Sequence, residues 1–241
     1  METEYVKFHP VFLDLRDRPV LIVGGGNIAV EKLNSLLPSG ARITVLAPVI
    51  NDQVREWVAA GDIRWVEKRF EPLDVEPYFM VIAATDDPAV NELVFQSGNE
   101  RLRLSNSVDD PINCNFIMAA ITGHGPMQVA VSSAGCSPAL AQRIRNRIAE
   151  ELVTPEVGEL GAYLGSWRLR IKGELPSYRA RQGFWEKVID SAVPELLASE
   201  GRGVADVEME RVLAWSKRNV PCLECRVPAP FFGCACGREL A

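Results

Sequence analysis

Three groups of residues in this sequence have the types and spacing to do chemistry. Gly24, Gly26 and Ala29 stand in the order G-x-G-x-x-A within VLIVGGGNIAV. Between a strand and a helix, the first glycine permits a tight turn and the second lets a pyrophosphate approach the backbone. The small third residue lets helix and strand pack closely, and the first N–H groups of the helix face the phosphates. The competing reading is a glycine turn that binds nothing. The second group is Asp109 and Asp110 before Pro111. A carboxylate can accept a proton, but Asp is also common in turns, and on spacing alone the turn is the simpler reading. The third group is Cys222, Cys225, Cys234 and Cys236, in the pattern C-x2-C-x8-C-x-C. Four thiolates could hold zinc or ligate an iron–sulfur cluster; the competing reading is a reduced tail without metal.

The elements that must position these groups alternate. PVLIVGG (19–25) reads as a buried parallel strand, NIAVEKLNSLL (27–37) as a helix, and ARITVLAP (41–48) as a second strand stopped by Pro48. NDQVREWVAAG (51–61) reads as a helix with Asn51 or Asp52 as its cap and Gly61 as its stop. IRWVE (63–67), YFMVIAAT (78–85) and LRLSNSV (102–108) supply three more strands, and PAVNELVFQSGNER (88–101) a helix. Strands alternating with helices mean a parallel α/β sheet with right-handed crossovers. Residues 116–135 then read as two strand-like runs around a Gly-rich turn. A helix follows over 137–153, with Ser137 as its cap and Pro138 at its first position. From about 155 to 216 the pattern is helical.

The second strand ends at Leu46, Ala47 and Pro48, where an NAD site often carries a ribose-binding Asp or Glu. No carboxylate stands there, and no arginine to suit a 2′-phosphate. The adenosine end must be held by backbone groups and shape around Pro48 and Val49.

Composition excludes several classes of function. The net charge of −6 argues against general nucleic-acid affinity. No apolar run approaches the roughly 20 residues that span a bilayer, and the acidic N-terminus lacks the order of a signal peptide. A cytoplasmic location without membrane association is expected. Cys114 and Cys136 read as packed small residues, and His124 in TGHGP as a solvent-facing turn residue.

FLDLRDRPVLIVGGGNIAVEKLNSLLPSGARITVLAP, then IAATDDPAVN, SNSVDDP, NFIMAAI and VAVSSAGCSPALAQRIRNRI occur in the order found in the precorrin-2 dehydrogenases, and the sequence resembles that family over roughly residues 8 to 190. The family also forms the N-terminal half of siroheme synthases, and in some members the same cleft inserts ferrous iron as a substrate. The resemblance implies NAD-dependent oxidation of precorrin-2 to sirohydrochlorin by a homodimer. It implies a Rossmann-like parallel sheet, a small strand-pair dimerisation segment and a helical domain. Boundaries are expected at 1–113, 114–150 and 151–216, with a Cys-rich tail over 217–241. Two alternatives are a sirohydrochlorin ferrochelatase and a tetrapyrrole-binding redox sensor without turnover.

Carried onto these positions, the resemblance implies that Gly24, Gly25, Gly26, Asn27 and Ile28 contact the cofactor phosphates and that Pro48 and Val49 line the adenosine side. Ala84, Thr85 and Asp86 follow the fourth strand, at the edge where ligands bind in such sheets. Asp109 falls on an aspartate essential in the family, which makes it the candidate base. If the chain is extended there, Asp110 points elsewhere. Ser133 falls on a serine lining the tetrapyrrole cleft. A substrate with eight carboxylates needs a local basic wall, for which arginine forks are suited. Arg143 and Arg147 are the candidates, with Arg145, Arg168, Arg170, Lys172, Arg179 and Arg181 nearby; the competing reading is a solvated helix face balanced by Glu150, Glu151 and Glu174. The family does not account for the cysteine tail.

Overall fold

The computed structural model describes residues 7–219. Its first compact unit comprises the chain up to Ala119 together with Ser132–Leu140, and its second Ala120–Val131 together with the chain from Ala141 onward. Residues of the stretch 114–150 fall in both units.

In the first unit, β1 (Pro19–Val23), α1 (Asn27–Leu36), β2 (Arg42–Leu46), α2 (Asp52–Ala60), β3 (Arg64–Val66), β4 (Met80–Ala83), α3 (Pro88–Glu100) and β5 (Leu104–Ser107) follow one another. The strands form one sheet in the order β3-β2-β1-β4-β5, all pairs parallel. Strand side chains alternate between faces, so β1 serves two cores. Val20 and Ile22 pack with Ala29, Leu33 and Leu36 of α1 and Val54 of α2. Leu21 and Val23 pack with Val81 and Ala83 of β4 and Val94 of α3. The helices therefore change face between β1 and β4, which opens a crevice at the carboxyl ends of those strands, where open α/β sheets bind ligands.

All five strands are shorter than the runs read for them, and in two the cause is local. β3 stops at Val66 because the chain turns there, Lys68 N–H donating to Val66 O at 3.1 Å. β5 starts only at Leu104 because Leu102 leaves α3 in the left-handed region, φ 55°.

In the second unit, β6 (Ala120–His124) and β7 (Met127–Val131) form an antiparallel hairpin. α4 (Pro138–Glu151) begins in the first unit and ends in the second. The helical stretch expected over 155–216 is four helices: α5 (Pro155–Glu174), α6 (Tyr178–Ile189), α7 (Val193–Glu200) and α8 (Arg202–Arg218). Tyr163, Trp167 and Ile171, four apart on α5, meet Phe184 and Val188 of α6, Leu197 of α7 and Met209, Val212 and Leu213 of α8. The buried Tyr163 hydroxyl donates to Asp206 Oδ1 at 2.8 Å, which meets the need of a buried polar group for a partner. The hairpin seats on small residues of α5: a Cβ on Gly158 would overlap His124, and one on Gly161 would come within 3.1 Å of Met127.

Phe184 is 1% exposed, so Phe184→Ala removes a ring at the centre of this core. Equilibrium urea unfolding is expected to show a loss of about 3–5 kcal/mol; a loss below about 1 kcal/mol would mean that the ring is not packed as described.

Candidate active site

The glycine loop is built by close backbone approach. Gly24 has φ +115°, and a Cβ there would overlap the carbonyl oxygen of Ala84 at the end of β4. A Cβ on Gly25 would overlap the carbonyl of Val49 beyond β2. Both positions are closed to any side chain, and they draw the ends of β1, β2 and β4 together. Gly26 differs: a Cβ there meets nothing within 4 Å, so its open side faces free space at the start of α1.

Gly26 caps α1 without a side-chain hydrogen bond. Val30 N–H is the first to be satisfied, donating to Gly26 O at 3.2 Å. The N–H groups of Asn27, Ile28 and Ala29 therefore have no acceptor among the described residues, as expected for the first turn of a helix. This open cradle of donors, at the positive end of the α1 dipole, fits the diphosphate of a dinucleotide.

The adjoining loop is pinned to this cradle. Asn51 N–H donates to Gly25 O at 2.9 Å, the Asn51 amide donates to Asn27 Oδ1 at 3.3 Å, and Asn51 Oδ1 caps α2 by accepting from Val54 N–H at 3.0 Å. Pro48 and Val49 project from this loop, and Val49 is 75% exposed. Farther along, the Trp65 indole N–H donates to Ala47 O at 2.9 Å, and the guanidinium of Arg55, in α2, lies 5.8 Å from the Trp65 ring centre. Only the capping part of Asn51's role was readable from its type and position. The Trp65–Ala47 and Arg55–Trp65 contacts carry no local sequence signal, because they join residues on different elements.

Beyond β4, Ala84 is buried and Asp86 exposed. Thr85 is committed inward: its hydroxyl donates to Asn91 Oδ1 at 2.7 Å, and the Asn91 amide donates to Thr85 O at 2.9 Å. Asp87 caps α3, accepting from Ala89 N–H at 2.9 Å. The T-D-D-P stretch thus spends its second aspartate on structure and leaves Asp86 in solvent.

The same division recurs beyond β5. Asp110 N–H donates to Ser107 O at 3.3 Å, and the Asp110 carboxylate accepts from the Asn113 amide at 2.7 Å. Asp109 is exposed, and its carboxylate has no hydrogen-bond or ion-pair partner among the described residues. The backbone here is a turn and not the extended chain considered for Asp110, since Asp109 has φ 60°. A non-glycine residue in that region costs energy, and such strain persists where the surroundings enforce it, often at functional sites. Asp tolerates the region better than most residues. Cys114 braces the loop, its thiol facing the carbonyls of Ser107 and Asp110 at 3.2 Å each, and burial pushes that thiol pKa up.

A second left-handed loop packs beside this one. Ala134 has φ 52° and Gly135 φ 83°, and a Cβ on Gly135 would lie 3.4 Å from Pro111 Cγ. Ser133 is therefore carried on a loop adjoining that of Asp109. Its hydroxyl oxygen accepts from Ser137 N–H at 2.9 Å.

The structure sorts the basic residues of the second unit. Arg147 is paired with Glu151 at 3.1 Å. Arg170 is held by Glu174 and Glu210, and Arg181 donates to the carbonyls of Leu175 and Pro176 at the end of α5. Arg143 and Arg168 are exposed without an ion pair among the described residues. The tail cysteines 222, 225, 234 and 236 lie outside the described residues. Among the described residues no cluster of His, Cys, Asp or Glu is arranged to hold a metal ion, and no helix is long and apolar enough to cross a membrane.

Comparison with known proteins agrees with this architecture. Residues 11–120 match an NAD(P)-binding family model, 124–151 the sirohaem biosynthesis protein central region, and 156–213 the sirohaem synthase dimerisation region. The chain belongs to the siroheme synthase and precorrin-2 dehydrogenase family. It is 39% identical over 183 residues to the siroheme synthase of Actinobacillus pleuropneumoniae serotype 3, a match covering 76% of this chain and 37% of that protein. It is 38% identical over 207 residues to the siroheme synthase of Photorhabdus laumondii, covering 86% of this chain and 44% of that one. The chain thus spans about two fifths of the length of these relatives. Among solved structures it resembles SirC, a precorrin-2 dehydrogenase, with a TM-score of 0.69 and 28% identity, covering 88% of this chain and all of that one. The first unit is accordingly an NAD(P)-binding domain, and the second carries a dimerisation region.

Two variants test the site's geometry. Gly26→Asp has room for its Cβ, so it should fold while its carboxylate repels a diphosphate, and calorimetric titration should show dinucleotide binding lost. Asp109→Gly relieves the left-handed strain, so its melting temperature should equal or exceed that of the parent, a gain of up to about 1 kcal/mol. A clear loss of stability there would show that the Asp109 side chain is structural.

Proposed function

We propose that this protein oxidises precorrin-2 to sirohydrochlorin with NAD, in siroheme biosynthesis. What supports the reading is the carboxyl edge of the sheet. An open helix N-terminus at the end of β1 and an unpaired carboxylate on a left-handed backbone beyond β5 lie on one edge of a parallel sheet, in a chain whose family acts on tetrapyrroles.

The oxidation removes a hydride and a proton from the macrocycle. Bound NAD supplies the hydride acceptor. The residues of the chain then bind, orient and accept the proton. Gly24, Gly25, Gly26, Asn27 and Ile28 hold the diphosphate through backbone contact and the first-turn N–H groups. Pro48 and Val49 offer an apolar surface to the adenosine, while Ala84, Thr85 and Asp86 border the nicotinamide half. Asp109 takes the proton: its carboxylate is exposed, unpaired and held on a turn braced by Asp110, Asn113 and Cys114. A base needs only an ionised carboxylate within reach of the bond that gives up the proton, while the C–H bond that gives up the hydride faces the nicotinamide; alignment of the two reactants supplies most of the acceleration. Ser133 meets the macrocycle from the adjoining loop. Arg143 and Arg147 bind its carboxylates, and Arg147 must exchange Glu151 for substrate to do so.

The protein is further proposed to act as a cytoplasmic homodimer through its dimerisation region. The cysteine tail is proposed to bind zinc or an iron–sulfur cluster; full-length protein prepared with zinc and iron present, yet without stoichiometric metal, would rule this out.

The deciding assay is anaerobic incubation with precorrin-2, NAD and ferrous iron, each omitted in turn. NADH formation that requires precorrin-2 and not iron is the expected result. Iron insertion into sirohydrochlorin without NADH formation would make the chain a chelatase alone, and binding of sirohydrochlorin without either reaction would make it a carrier or sensor. Asp109→Ala should retain NAD binding and lose at least about a hundredfold in turnover. Turnover equal to the parent's would remove Asp109 from the mechanism.

A further inference from the structure

The end of β2 carries no carboxylate to pair with a ribose 2′-hydroxyl, and one cation is fixed close by. Arg55 lies in the first turn of α2. That helix follows β2, so this turn sits at the carboxyl edge of the sheet. Arg55 N–H donates to Asn51 O at 3.0 Å, and Asn51 in turn donates to the glycine loop through Gly25 O. The Arg55 guanidinium rests over the Trp65 ring, 5.8 Å from its centre. The indole N–H of the same ring holds Ala47 O at 2.9 Å. A run of contacts from Gly25 through Asn51 and Arg55 to Trp65 and back to Ala47 therefore frames the place where an adenosine ribose meets β2.

Arg55 is exposed and has no ion pair among the described residues. The neighbouring Lys68 is not free in the same way: it is paired with Glu71 at 2.8 Å and Asp74 at 2.9 Å. Asp52, Glu56 and Glu67 are the carboxylates nearest Arg55 and this edge in sequence; Glu56 accepts from the Gln53 amide, and none of the three makes an ion pair with Arg55. Stacking on an aromatic face orients a guanidinium without neutralising it, and a guanidinium is well suited to phosphate.

We propose that Arg55, positioned by Trp65, reads the 2′ position of the adenosine ribose, so that the chain accepts NADP as well as NAD. The inference rests on the dinucleotide reading of the glycine loop. It deepens that reading: the group at the end of β2 that usually repels a 2′-phosphate is missing, and an unpaired arginine borders its place. Trp65 acts through Arg55 and is a positioning residue.

The test is calorimetric titration of the full chain with NAD and with NADP at two ionic strengths, repeated for Arg55→Gln and Trp65→Phe. The parent is expected to bind NADP within about tenfold of NAD, and NADP binding should weaken more with added salt, because an exposed charge pair is screened. Arg55→Gln should lower the ratio of NADP affinity to NAD affinity by about tenfold or more. Trp65→Phe, which keeps a ring beneath the guanidinium, should lower it less. NADP binding more than about a hundredfold weaker than NAD in the parent, or an unchanged ratio in Arg55→Gln, overturns the proposal and leaves the NAD-dependent reading standing. Failure of the parent to bind either dinucleotide overturns both.

Discussion

The carboxyl edge of the sheet depends on one backbone approach, that of Gly24 to the Ala84 carbonyl. The turn after β1 must pass so close to the end of β4 that no side chain fits between them. Because it does, α1 starts directly over the crevice between β1 and β4, with its first N–H groups facing outward. The contact of Gly25 with Val49 repeats the constraint on the β2 side. Everything proposed for the dinucleotide, from the diphosphate cradle to the frame around Ala47, is organised by these two contacts.

A second constraint sets the opposite side of the crevice. The turns after β4 and β5 are both D-D-P, and both use the second aspartate to brace the turn while the first is left in solvent. Only the second of these turns places its free aspartate in the left-handed region. The energetic cost is borne by a loop held by Asp110, Asn113 and Cys114, and by the packing of Pro111 against Gly135. Asp109 is kept in this conformation without an internal partner among the described residues, which supports the role as base proposed for it.

The two compact units divide the work chemically. The first holds the parallel sheet, both D-D-P turns and the Ser133 loop. The second holds the hairpin, most of α4 and the four helices packed around Tyr163, Phe184 and Met209. Its basic residues are unequal: Arg170 and Arg181 are consumed by the helical scaffold, whereas Arg143 and Arg168 are left without partners among the described residues.

The sequence alone determined the order of strands and helices, because apolar runs bounded by glycine and proline report burial locally. It also determined the glycine loop and the family, through motifs contiguous in the chain. Cap residues such as Asn51 were readable for the same reason: an N-cap is a local bond between residues three apart. The tertiary structure alone decided which of the paired aspartates is free, which arginines are spent on helices, and where Trp65 and Arg55 stand relative to Ala47. The place of Trp65 and Arg55 turns on contacts between elements distant in sequence, whereas the aspartates and most of the arginines are settled by short-range bonds among which spacing alone leaves more than one choice. Strand ends belong with them. β3 and β5 are shorter than their apolar runs because strand length is set by where a partner's hydrogen bonds and the next turn begin, not by hydrophobicity.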